Sequence, residues 1–235
     1  MNSSPQVNGV KLALKQDVER PQRKDKTGTR TFQGLAPNLR KQTTFELSSY
    51  MTGWPDGAEQ PGYGSLFQAA LGGEALVFAG GAAGAGCEGR TLIFSAPHGL
   101  AAGQAVTFSG EIRFVAAIAD DLTVLLNAPF SASPSEGSPI GRTVTYLPEN
   151  RLRSASIFDY WSPEGAVQRI ACGAGIDTMQ LRINGDYHEF RFTGAAMDML
   201  DNSSFIGGQG GLLSFPTEPA EAVFDYSIIP GHLGQ

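Results

Sequence analysis

The stretch Met179–Asp201, MQLRINGDYHEFRFTGAAMDMLD, decides how the rest of the chain is read. Apolar and polar residues alternate on both sides of Asn184-Gly185, which is the period of a half-buried strand rather than of a helix. Asn-Gly tolerates the positive φ that both central residues of a type I′ turn require, so the dipeptide predicts a two-residue hairpin loop. In that register residues whose numbers sum to 369 face each other, placing Leu181 opposite His188, Met179 opposite Phe190 and Asp177 opposite Phe192. One face then carries Met179, Leu181, Ile183, His188, Phe190 and Phe192 and is expected to be core. The other carries Gln180, Arg182, Tyr187, Glu189 and Arg191.

That split argues against catalysis at the one place where acid, base and cation cluster. His188 points with the aromatic side chains, and Glu189 points the other way. An acid and a base on opposite faces of a strand cannot serve one substrate, and neither serine nor cysteine stands beside Glu189 and Arg191 as a nucleophile.

The composition agrees with a chain built from short strands. Of 235 residues, 30 are glycine and 14 proline, and charged residues make up 17%. This mixture fits strands joined by turns better than a helical bundle. Further strands are predicted at Val10–Leu14, Thr29–Gln33, Gln42–Tyr50, Ala155–Tyr160 and Val167–Cys172. Within Gln42–Tyr50, Phe45 and Leu47 point one way and Thr44, Glu46 and Ser48 the other. One helix is predicted over PGYGSLFQAALGG, residues 61–73, with Tyr63, Leu66, Phe67, Ala70 and Leu71 at helical spacing and Gly72-Gly73 as its stop.

At AGGAAGAGCEGR, residues 79–90, the composition becomes linker-like. Four strands follow in a short span, at Thr91–Ser95, Ala105–Ser109, Ile112–Ile118 and Thr123–Leu126, separated by turn sequences. The expectation is a main β domain over 1–89 and 149–235 with a small β-module, 90–148, inserted as one of its loops. His98, between proline and glycine in APHGL, reads as a turn residue.

Charge is distributed unevenly. The net charge is -6, yet residues 1–41 hold nine Lys/Arg against three Asp/Glu, and no lysine follows Lys41. An arm or extended loop over 18–42 is predicted, basic enough to be drawn to the acidic body of another copy. Its core, ERPQRKDKTGTR, has no aromatic residue for base stacking, which argues against nucleic-acid binding.

Other chemistry is not signalled. No phosphate-binding loop, dinucleotide fingerprint, HExxH or GxSxG occurs. Cys87 and Cys172 lack metal-ligand spacing and read as buried free thiols. Asp120-Asp121 and Asp198/Asp201 read as solvated turn acids, and Trp54 and Trp161 as partly buried anchors. No cofactor and no metal are expected. There is no long apolar run, and the first twenty residues lack a signal-peptide plan, so the expectation is a protein made in the cytoplasm with no membrane partner.

Three stretches together resemble the tail tube proteins of long-tailed bacteriophages. They are LRKQTTFELSSYMTG with PGYGSLFQAALGG, then RLRSASIFDYWSPEGAVQRIACGAGIDTMQLRINGDYHEFRFTGAAMDMLD, and finally FPTEPAEAVFDY as a closing strand segment. The resemblance implies a mainly β, tail-tube-type sandwich or barrel with one short flanking α-helix and an inserted β-module. It implies a structural, non-enzymatic virion subunit whose six copies close a ring, the rings stacking into a conduit through which DNA passes without specific binding. Its partners would be copies of itself and other tail proteins. Arg20, Arg23, Lys24, Lys26 and Arg30 would then be inter-ring contacts, and Glu46 and Glu189 candidates for the lumen lining. Alternatives are a tube-like tail-tip or neck protein of the same fold and a carbohydrate-binding β-sandwich module.

Overall fold

The computed structural model describes residues 9–19, 40–53, 59–160, 168–183 and 187–217. The chain is mainly β, with curled sheets and a single α-helix among these residues. It divides into two compact units, one formed by residues up to Gly53 and from Leu152 onward, the other by Trp54–Arg151.

In the first unit β1 (Gly9–Glu19) and β2 (Arg40–Tyr50) pair antiparallel, from Lys11 opposite Ser48 to Glu19 opposite Arg40. Along β2, Thr43, Phe45, Leu47 and Ser49 are buried while Gln42 and Thr44 are exposed, the alternation predicted. The ladder reaches further than the sequence suggested. Val18, Glu19, Arg40, Lys41 and Gln42 are all paired, so both described ends of the 18–42 arm are sheet. Backbone hydrogen bonds extend the ladder there without any need for apolar side chains. The rest of the arm, and with it Arg20, Arg23, Lys24, Lys26 and Arg30 and the strand expected at 29–33, lies outside the described residues.

The second unit opens with α1 (Gly64–Leu71), which stops at Gly72 in the left-handed region, φ 85°, its N–H bonded to the Gln68 carbonyl. Only glycine adopts that cap without strain. Then follow β3 (Gly72–Phe78), β4 (Gly81–Ala82), β5 (Thr91–Ile93), β6 (Ala105–Phe108), β7 (Glu111–Ile118), β8 (Thr123–Leu126), β9 (Pro139–Ile140) and β10 (Thr143–Pro148). A four-stranded sheet has the order β5-β8-β7-β6, while β3 pairs β10 and β4 pairs β9. Phe78, Leu92, Phe94, Val106, Val115, Val124 and Leu126 share one core.

This moves the expected boundary of the insert from 90–148 to 54–151. β3 and β4 are long-range partners of β10 and β9, so they close the same unit. The helix belongs here too. α1 packs on β3 and β10 of its own unit, with the Phe67 and Tyr146 rings stacked at 5.4 Å. The stretch 79–90 is likewise no linker. Ala83 is fully buried and bridged to Phe94, and a Cβ on Gly84 would sit 3.1 Å from the Phe94 carbonyl oxygen, so small residues here permit close backbone approach.

The chain returns through β11 (Ala155–Tyr160), β12 (Gln168–Arg182), β13 (Glu189–Ala196) and β14 (Asp198–Asp201). The first unit's sheet has the order β1-β2-β13-β12-β11, with β14 on β12. The strand expected at 167–172 does not end there, because β12 runs unbroken for 15 residues. Its first half lies between β11 and β14, and its second half pairs β13. Gly173, at φ 62°, marks the change. Met197 crosses it with its N–H on the Cys172 carbonyl at 3.0 Å, and a Cβ on Gly173 would meet the Met197 sulfur.

The hairpin register differs from the predicted one by two residues. Met179 faces Phe192, Leu181 faces Phe190 and Arg182 faces Glu189. The turn expected at Asn184-Gly185 itself lies outside the described residues. A slip of two preserves both faces because side chains alternate with period two. Gly194 is tight against both neighbouring strands, since a Cβ there would run into the Gly175 carbonyl oxygen of β12. Gly194 lies opposite Phe45, whose ring is close enough that a Cβ there would sit 3.0 Å from it.

Candidate assembly surface

The face expected to be core is only partly buried. Phe192 is 0% and Phe190 6% exposed, and both are flanked by β2 on one side and β12 on the other. His188 is half-buried. Met179, Leu181 and Ile183 are 37%, 51% and 69% exposed, which corrects their assignment to the core. The reason lies in the topology. β11 covers β12 only from Gln168 to Ala174, so among the described residues the other edge of residues 175–182 has no strand beside it. Met179, Leu181 and Ile183 therefore lack, among the described residues, the second flanking strand that Phe190 and Phe192 have.

β1 is the opposite end of the same sheet, and its outer edge is likewise unpaired among the described residues. Two long strand edges therefore bracket one sheet. Such edges display unpaired N–H and C=O groups and template pairing with another chain.

The polar face of the sheet bears both residues expected at a lumen. Glu46 on β2 is bonded by Arg191 on β13, Oε2 to Nη2 2.7 Å. That hydrogen bond, with lesser help from Lys11, holds the Glu46 carboxyl below its ordinary value. Glu189 stands directly opposite Arg182. Lys15 and Asp17, on β1, are paired at 2.8 Å on the same face. The polar face is thus charge-compensated, which sequence alone did not indicate, since the matching arginines are set by cross-strand register.

A second polar cluster, missed from sequence, fixes the end of the ladder. Asp198 on β14 accepts from Gln16 Nε2 at 2.8 Å, from Lys41 Nζ at 3.0 Å and from the Met199 N–H at 2.9 Å. Burial works to raise this carboxyl, and the bonds from Lys41, Gln16 and Met199 outweigh it and lower it. Gln16 and Lys41 lie near the two ends of the 20–39 segment, so one carboxylate joins both strands that bound the segment to β14. The spacing of Asp198 and Asp201 gave no hint of this, because the partners come from β1 and β2.

The remaining candidates have structural surroundings. His98 is buried, its Nδ1 accepts the Leu100 N–H at 2.8 Å and its Nε2 donates to the Asp120 carbonyl at 3.1 Å. Since an amide N–H can only donate, this geometry requires the neutral Nε2–H tautomer. Asp120 closes its own turn by accepting the Leu122 N–H at 2.8 Å. Cys87 and Cys172 are free and half-buried. No group of three or more His, Cys, Asp or Glu arranged to hold a metal occurs among the described residues, and no described helix is long and apolar enough to cross a membrane. Trp54 and Trp161 lie outside the described residues. The chain matches no protein-family profile and no curated sequence.

Proposed function

We propose that the chain is a structural, non-enzymatic subunit that assembles with copies of itself as a tail-tube-type protein of a bacteriophage virion, its rings stacking into a conduit for DNA. One observation carries this reading. Among the described residues, a single sheet ends in two edges with no strand beside them, β1 and the second half of β12, with Met179, Leu181 and Ile183 exposed along the latter. Edges on opposite sides of one subunit favour heterologous contacts, and heterologous contacts close into rings when the rotation permits. Closure removes the edges that would otherwise aggregate.

The polar face suits a bore on the same argument. A wall where Glu46 pairs with Arg191, and where Arg182 stands opposite Glu189 in the ladder, offers phosphate neither a basic track nor a strong barrier. Net attraction would be multiplied over every ring and hold the DNA back. The basic segment within residues 20–39 would bridge successive rings through contacts with acidic residues of the next copy.

Negative-stain electron microscopy of the purified chain over a concentration series tests the reading, beside a variant in which residues 20–39 are replaced by a short Gly/Ser linker. Rings or hollow tubes are expected from the intact chain, and single unstacked rings from the variant. Monomers in both preparations at every concentration would reject it.

A further inference from the structure

The second unit carries an exposed apolar strip of its own. Along β7, Ile112, Phe114 and Ile118 are 59%, 45% and 45% exposed, and Leu122, in the turn to β8, is 40% exposed. The backbone of the strip is tied to the end of β8. The Phe114 N–H donates to Asn127 Oδ1 at 2.9 Å, and the Asn127 N–H donates to the Phe114 carbonyl at 2.8 Å. The two charges on the strand are spent on each other, since Arg113 bonds Glu111, and Arg113 Nε also donates to the Pro129 carbonyl at 2.7 Å. Grouped apolar side chains left in water on a folded chain mark a site of interaction.

One end of this strip is acidic. Asp120 and Asp121 stand exposed in the same turn, and neither has a Lys or Arg partner among the described residues. In the first unit, by contrast, Glu46, Asp159 and Asp198 pair with Arg191, Arg169 and Lys41. Residues 54–151 together hold nine Asp/Glu against four Arg and no lysine. A partner that fits must therefore bring cations to the turn and uncharged apolar side chains to the strand.

The chain itself contains a segment of that composition. Residues 20–30 hold Arg20, Arg23, Lys24, Lys26 and Arg30 against the single acid Asp25, and residues 31–39 hold Phe32, Leu35 and Leu39 with no charge. The cationic half is complementary to the acidic turn, and the neutral half to the apolar strip. Resting on the reading of the chain as a self-assembling subunit, we propose that residues 20–39 of one copy dock on the β7–β8 hairpin of a neighbour. Asp120 and Asp121 receive the cations there, and Ile112, Phe114 and Ile118 receive the apolar side chains.

A fluorescein-labelled synthetic peptide of residues 20–39 tests this by anisotropy, titrated with the chain whose own residues 20–39 are replaced by a Gly/Ser linker. Saturable binding is expected, weakening as salt is raised. Ile112→Asp and Asp121→Lys in that chain should each weaken it several-fold with the circular dichroism unchanged, since both side chains are exposed. Glu136→Lys, at an exposed acid of the same unit outside the hairpin, should bind the peptide as its parent does at physiological salt. No saturable binding, or an equal loss with Glu136→Lys, would overturn the proposal. So would a full-length Leu181→Asp monomer that refuses a peptide the linker chain accepts, because residues 20–39 would then fill the hairpin of their own copy. The two readings separate cleanly. Rings or tubes without peptide binding at the hairpin remove this docking and leave the tube standing, whereas binding at the hairpin without rings supports the docking and removes the tube.

Discussion

Arg191 reaches diagonally across the β13–β2 ladder to hold Glu46, Nη2 to Oε2 2.7 Å, although Glu46 itself faces Thr193. The hydrogen bond lowers the Glu46 carboxyl, so the group binds protons less readily folded than unfolded. The stability it contributes is present above the unfolded carboxylate value and is lost as the pH falls through the lower, folded one. Thermal melting of the intact chain is expected to decline with acid below about pH 4, where free glutamate titrates. Glu46→Gln should flatten that decline slightly and leave the fold unchanged by circular dichroism. An identical pH profile in the two proteins would show the pair to be without effect.

Asp198 is expected to matter more, because three donors from three strands converge on it. Asp198→Ala should cost about 1 kcal/mol, the usual worth of charged hydrogen bonds reduced for a carboxylate that water still reaches. Hydrogen exchange will check this locally. Amides near Gln16 and Thr43 should exchange faster in the variant, while those of β7 and β8, in the other unit, should not change.

Gly64→Ala tests the docking of the helix. A Cβ there would lie 2.5 Å from both the Gln60 Oε1 and the Tyr146 hydroxyl, which are themselves bonded at 3.1 Å. Burial pushes the Tyr146 phenol up to about 12, so it remains a donor at neutral pH. Both atoms are side-chain ends that can move aside, so the expected cost is about 1 kcal/mol, chiefly the disturbed hydrogen bonding around Gln60. A denaturant titration followed through tyrosine fluorescence should show the loss. Tyr146→Phe should cost less, since Gln68 still donates to Gln60 at 3.1 Å.

His98→Phe keeps the ring against Phe94, 5.3 Å between centroids, and removes both polar contacts. The Leu100 N–H would then be buried without an acceptor, at a cost of about 1–3 kcal/mol. A chemical-denaturation midpoint that does not move would show that the loop carries no such dependence on His98.

Faces were easier to read from the sequence than registers or boundaries. The alternation in Phe45 and Leu47 and in Phe190 and Phe192 assigned each side chain to the correct side of its strand. Register was not legible because a slip of two leaves every face intact, so the alternation cannot distinguish Phe190 from Phe192 as the partner of Met179. The turn dipeptide Asn184-Gly185 suggested the wrong alignment, and Gly194, which leaves no room for a Cβ between the Gly175 carbonyl oxygen and the Phe45 ring, is a constraint that the local pattern lacks. The insert boundary failed for a related reason. Val77 and Val144 are far apart in sequence, and their pairing leaves no local mark. The helix at 64–71 was legible from its own period and its glycine stop. The Asp198 cluster and the Arg191–Glu46 pair could not be seen, because each joins strands whose adjacency only the topology reveals.

The central claim is that open sheet edges drive assembly, and the exposed row beside β12 is its most direct test. Leu181→Asp places a charge at a side chain that is 51% exposed in the single chain, so folding should be preserved. Sedimentation velocity of the two proteins at matched concentrations is the measurement. The account predicts ring-sized or larger species from the native sequence and a folded monomer from Leu181→Asp. Assembly of Leu181→Asp to the same extent as the native chain, or a native chain that stays monomeric at every concentration, would contradict it.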